Sequence, residues 1–134
     1  MQLRNILEWA LRILIAGILL QTLFFKFTGA PESIYIFEKT GLGTPGRIGS
    51  GIVELCASIL LLFPSFKAYG ALLALATMSG ALFFHLTSLG IDVMDDGGQL
   101  FYLACVVWAG SLYLVIKYRN EWLPARFLTM DKEA

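Results

Sequence analysis

The sequence predicts an all-α protein, a transmembrane up-and-down four-helix bundle. Three observations carry that prediction. Apolar runs recur four times, at about 7–28, 47–63, 67–89 and 99–118, each near the ~20 residues that an α-helix needs to cross the hydrocarbon core. The mean hydropathy is +0.72, with 57% of residues hydrophobic and 15% charged, a composition far from that of soluble domains. The connections are short or marked by Gly and Pro, which suits antiparallel neighbours. The chain, residues 1–134, reads as one domain. The zero formal net charge and the lack of a basic patch argue against nucleic acid as a partner. No zinc-ligand spacing, phosphate loop or heptad repeat occurs, so no metal site is expected. The first apolar run is too long for a signal peptide and lacks a small-residue cleavage site, so it is expected to be retained.

Span one, 7–28, carries Glu8, Arg12, Gln21 and Lys26. Glu8 and Arg12 are spaced i, i+4 and are expected to pair near the helix start. Lys26 falls within about 40° of Arg12 on the helical wheel, with Ile15 and Leu19 between them. Arg12 and Lys26 either snorkel to opposite surfaces or find buried partners. Gln21 lies on the other side of the helix.

Gly29, Pro31, Gly41, Gly43, Pro45 and Gly46 punctuate the next stretch. Within it, 31–40 reads as a short interfacial helix. Pro31 suits its first turn and Gly41 its C-cap. Tyr35 and Phe37 suit the headgroup region, so this segment is expected to act as a lid at the membrane surface.

Span two, 47–63, ends at Pro64 and contains Glu54. A carboxylate in such a run is costly unless a partner, water or a proton neutralises it. Ser50, Glu54 and Ser58 recur at i, i+4, i+8 and form one polar stripe. Gly46, Gly49 and Gly51 are expected to admit another backbone. The span is short, so its start is expected to be buried in protein.

Span three, 67–89, is rich in small residues. Its Ala76–Gly80 step predicts close helix packing, and the single histidine, His85, lies near its end. The following loop, with Asp92, Asp95 and Asp96, reads as solvated. Span four carries Trp108, Tyr113 and Tyr118, and Trp122, Leu123 and Phe127 read as an interfacial anchor.

Four spans put both termini on one side, with Arg4, Arg12, Lys67, Lys117, Arg119, Arg126 and Lys132. Lys26, Lys39 and Arg47 lie on the other. The positive-inside rule therefore predicts a multi-pass protein of the cytoplasmic membrane with both termini cytoplasmic. Helical rise then places Lys26, Glu54, His85 and Gln99, one from each span, in the same outer half of the bilayer. Intramembrane ionisable groups of this kind mark pockets and ion or proton paths. The candidate polar pocket is therefore Lys26, Glu54, His85, Gln99 and Ser50, with Phe24, Phe25, Phe83 and Phe84 as candidate lining. A purely structural Lys26–Glu54 salt bridge is the alternative. No residue is singled out as catalytic. Cys56 and Cys105 lie mid-span without a C-x-x-C motif and read as small buried hydrophobes. Cys56 lies about 160° around its helix from Glu54.

The sequence resembles the DoxX family of small four-helix membrane proteins over about 12–118. The resemblance rests on R-I-L-I-A-G-I-L-L from Arg12 to Leu20, F-F-K-F-T-G from Phe24 to Gly29 and G-I-V-E-L from Gly51 to Leu55. The small-residue third span with His85 near its end also fits. The resemblance implies a bundle in a bacterial or archaeal cytoplasmic membrane and an association with quinone-linked oxidation. It would make Lys26 and Glu54 the polar centre. No haem, flavin or iron–sulfur motif is visible, so any redox cofactor is expected in a partner subunit.

Three functions follow as expectations. The first is a small subunit that binds a quinone-like or other lipophilic molecule and supports a membrane oxidoreductase. Its apolar slot would take the ligand's tail and its polar groups the ligand's oxygens. The second is a non-enzymatic membrane chaperone or assembly factor whose small-residue faces pack on client helices. The third is a small transporter, which would have to form a homo-oligomer because no inverted repeat is detectable. Expected partners are membrane lipid, an oxidoreductase subunit and further copies of the chain.

Overall fold

The structure, a computed structural model, describes residues 2–122. Its elements are α1 (Leu3–Thr28), α2 (Pro31–Lys39), α3 (Gly43–Leu62), α4 (Lys67–Phe84), a π-helical turn (His85–Leu89), α5 (Gln99–Lys117) and α6 (Arg119–Trp122). Among the described residues, four helical segments are long and apolar enough to cross a membrane: α1, α3, α4 with its π turn, and α5. The chain is an all-α, multi-pass membrane protein. Helix α1 packs mainly on α3, α3 on α4 and α4 on α5, while α2 lies on α3.

Span two is longer than the sequence reading gave it. Helix α3 begins at Gly43 and reaches 20 residues. Pro45 is tolerated because the first-turn N–H groups have no intrahelical partner anyway. Punctuation that reads as loop is thus the helix start. Helix α2 starts at Pro31 and ends at the cap Thr40, followed by Gly41 at φ +82°, the left-handed position that closes many helices.

The core is built from Ile15, Leu19, Leu61, Val107 and Leu114, with Ala57, Ala71 and Ala74 where helices approach closely. Leu14, Ile59, Phe63, Tyr69 and Ile116 point outward. An apolar exterior of this kind is stable only against lipid. The tightest backbone approach is at Gly70. A Cβ there would lie 2.6 Å from Leu61 N and 3.0 Å from Ala57 O. The glycines expected to fill this role do not. Gly51 admits the Phe27 ring, and Gly49 and Gly80 face open space. The Ala76–Gly80 step leaves both residues exposed rather than packed on a helix.

Two arginines close helix ends across the α1–α3 pair. Arg12 is 1% exposed, and its Nε donates to Leu61 O at 2.7 Å. Arg47 Nη1 donates to Lys26 O. Each carbonyl belongs to the last turn of its helix, which lacks intrahelical donors and carries partial negative charge. Arg12 therefore does not snorkel, and it makes no ion pair with Glu8. The Glu8 carboxylate instead meets Lys117 at 3.1 Å and Lys67 at 3.5 Å, and accepts from Tyr118 Oη. Trp122 folds back on α5, its Nε1 donating to Val115 O at 2.8 Å. Leu123 and Phe127 lie outside the described residues. Cys56 is exposed and Cys105 half-buried, and both are free thiols. The reading of Cys56 as buried fails because its face of α3 turns away from the bundle.

Candidate functional site

A cavity of about 630 Å³ opens beneath α2, walled by α1, α3, α4, the π turn and α5. Its size is that of a small-molecule pocket. Leu19, Val53, Met78, Leu100 and Leu103 supply apolar wall. Lys26, Ser50, Glu54, His85 and Gln99, the five polar residues singled out from the sequence, all line it.

Lys26 Nζ lies 2.5 Å from Glu54 Oε1, with the Glu54 side chain 2% and the Lys26 side chain 15% exposed. The carboxylate is thus the deeper partner. The Thr22 hydroxyl lies 3.2 Å from Glu54 Oε2 and 2.7 Å from Leu19 O, and has one proton to donate between them. Phe37 of α2 covers the ammonium, with Nζ 5.7 Å from the ring centre. Glu54 occupies one of three ammonium protons, so Lys26 keeps donors for a ligand.

His85 opens the π turn and is buried. Its Nδ1 lies 2.9 Å from Gly90 O. A carbonyl only accepts, so Nδ1 carries the hydrogen and Nε2 is the ring nitrogen left for a ligand. Phe101 packs edge-on to the imidazole at 5.6 Å. A π turn of this kind commonly re-aims a side chain at a functional site.

Ser50 contributes less than its stripe suggests. Its hydroxyl donates to Arg47 O at 3.2 Å, and that of Ser58 to Glu54 O at 2.8 Å. Both turn to carbonyls of their own helix, leaving Glu54 as the group that reaches across. Phe25 and Phe84 line the cavity. Phe24 and Phe83 do not; they are 66% and 61% exposed. Successive helical residues diverge by about 100°, so one member of each Phe-Phe pair must face away.

Other lining residues escaped the sequence reading. Thr22 lies one turn before Lys26. Thr77 and Ala81 precede His85 at i−8 and i−4, a spacing that marks the same face. Gln21, expected on another side, lines the cavity beside Phe25. Asp96 also lines it and is not simply solvated. Its carboxylate accepts from the N–H groups of Val93, Gly98 and Leu100 at 3.0, 2.8 and 3.2 Å, closing the start of α5. Burial pushes this carboxyl up, but those three bonds and one with Asp92 outweigh it and hold it below the usual aspartate range. Among the described residues, no three His, Cys, Asp or Glu side chains converge as a metal site.

The arrangement is an apolar chamber with an ion pair on one wall and an imidazole on another. It can hold a small amphipathic molecule by its oxygens and exchange protons with it. No curated protein and no solved structure matches the chain. A family model described as DoxX matches residues 8–86, from α1 into the π turn. Lys26, Glu54 and His85 fall within that match and Gln99 beyond it, and the chain belongs to the DoxX family.

Proposed function

We propose that this chain binds a quinone-like or other small lipophilic molecule in the cavity and serves as a cofactor-free subunit of a membrane oxidoreductase. The observation that carries this reading is the Lys26–Glu54 pair set in an apolar chamber beneath α2. Lys26 donates to a carbonyl oxygen of the ligand. His85 Nε2 accepts from a hydroxyl, and Glu54 and His85 together provide proton-exchanging groups. The apolar walls take the ring and tail. In this reading α2 and the Asp96 loop face outward, and both termini are cytoplasmic.

Organic extraction of the purified protein followed by mass spectrometry tests the ligand. An isoprenoid quinone or similar compound should be recovered near stoichiometrically. Gly80→Leu, which grows into open space at the cavity wall, should lower that recovery while the protein stays folded. A single dominant membrane client with no extractable small molecule would establish an assembly factor instead. Thiols introduced by Asp95→Cys and Lys132→Cys should label from opposite sides, and same-side labelling would end the proposed orientation.

A further inference from the structure

The far end of the bundle, around the α3–α4 turn, carries a second polar centre separate from the cavity. Three cations, Arg12, Lys67 and Lys117, gather near the single carboxylate of Glu8. Both carboxylate oxygens are already taken, Oε2 by Lys117 and Oε1 by Lys67 and Tyr118. Arg12 lies one turn from Glu8 on α1, stacked 3.9 Å over the Trp9 ring, and its Nη2 has no hydrogen-bond partner among the described residues. The C-terminal end of α3 offsets Arg12 by only about half a charge. Arg119 and Glu121, both exposed on α6, cancel in sum. Among the described residues the centre is therefore short of negative charge.

Its geometry indicates where that charge enters. Lys67 is the first residue of α4 and Lys117 the last of α5, so both ammoniums sit at the boundary of the apolar span. Each side chain is 23% exposed, and each keeps N–H groups that Glu8 does not use. Lys67 lies 4.7 Å over the Tyr118 ring and Lys117 5.8 Å over the Tyr113 ring, so the aromatic faces hold the pair in place. Phe66, Tyr69 and Ile116, all exposed, give apolar surface beside them. A group that fits must be anionic, accept from two ammoniums and carry an apolar body along the helices.

We propose that Lys67 and Lys117 form a binding site for the phosphodiester headgroup of an anionic membrane lipid, with buried Arg12 strengthening the positive field behind them. A zwitterionic headgroup fits less well, because its own cation meets the same excess charge. This inference does not depend on any ligand in the cavity.

The test uses the full chain reconstituted in vesicles of equal phosphatidylglycerol and phosphatidylcholine, with retained lipids counted by native mass spectrometry. The wild type should retain phosphatidylglycerol preferentially. Each lysine should contribute about fivefold to that preference, so K67Q and K117Q should each weaken it and the double variant abolish it. The single variants keep the test readable should the double variant not fold. K39Q, at the other end of the bundle, should change nothing. Equal retention of the two lipids by the wild type would overturn the proposal, as would an undiminished preference in K67Q and K117Q. Displacement of the lipid by millimolar inorganic phosphate would also overturn it, by assigning the site to a soluble anion.

Discussion

Breaking the Lys26–Glu54 pair should be asymmetric, and the asymmetry follows from depth. Glu54 is the more buried partner, and among the described residues Thr22 is its only other side-chain partner within hydrogen-bond reach. Lys26→Met therefore strands a carboxylate in an apolar wall. Removing one partner of a buried pair costs about 3–5 kcal/mol, and this variant should fall in that range. Glu54→Gln is milder. Gln keeps a carbonyl that can accept from Lys26, and the ammonium can turn toward the cavity, so a loss of about 1.5–3 kcal/mol is expected. The double variant K26M/E54Q removes both charges and should recover part of the loss, giving a coupling of about 1–3 kcal/mol. Unfolding in detergent, measured on both singles and the double, reads these values directly. Additive effects would mean that the pair contributes nothing jointly, and a larger loss in E54Q than in K26M would refute the depth argument. Quinone retention in the folded double variant separates the two roles of the pair. Loss of ligand with recovered stability would show that the charges serve binding.

Three further outcomes are expected. Arg12→Met leaves Leu61 O without its donor and should cost about 1.5–3 kcal/mol in the same unfolding assay. Arg12→Lys should restore less than half of that loss, since an ammonium cannot cap and stack in one plane. Gly70→Ala drives a Cβ into the α3 backbone and should destabilise by about 1–3 kcal/mol. Gly80→Ala meets nothing and should stabilise by up to about 1 kcal/mol through helix propensity; the same sign for both would refute the assigned packing. Asp96 has a lowered folded-state carboxyl, so its contribution is complete above the unfolded aspartate value of about 3.9 and is lost as pH falls through the folded value below that. A melting-temperature series from pH 6 to 3 should show a shallower acid slope for Asp96→Asn.

The fold was legible because lipid imposes a simple rule. Apolar runs of the right length must be helices, and Lys26, Glu54 and His85 stand out against them. Span assignment and the polar residues of the cavity needed only periodicity and depth. Direction was harder to read. Phe24 and Phe25 are equivalent in composition, yet only Phe25 faces the cavity, because rotation of α1 is set by what packs on α3. Glu8 and Arg12 have the spacing of an ion pair but are claimed by Lys117 and by Leu61 O, which lie far away in sequence. The role of Gly70 rather than Gly49 or Gly80 is likewise a fact of three-dimensional approach. Local spacing holds no information about a backbone that arrives from another helix.

The crossed arginine caps fix more than two carbonyls. Arg12 near the start of α1 pins the end of α3, and Arg47 near the start of α3 pins the end of α1. Two pins at opposite ends of an antiparallel pair set its lengthwise register. A slip of one residue, a rise of about 1.5 Å, would pull both guanidiniums from their carbonyls together. Piston motion of α1 along α3 is therefore opposed at both ends of the pair. Access to the chamber is left to α2 or to the looser seam between α1 and α5. The pins also order assembly. The Arg47 pin joins the start of α3 to the end of α1, whereas the Arg12 pin cannot close until the last turn of α3 arrives, so the hairpin locks at both ends only when its second arm is complete.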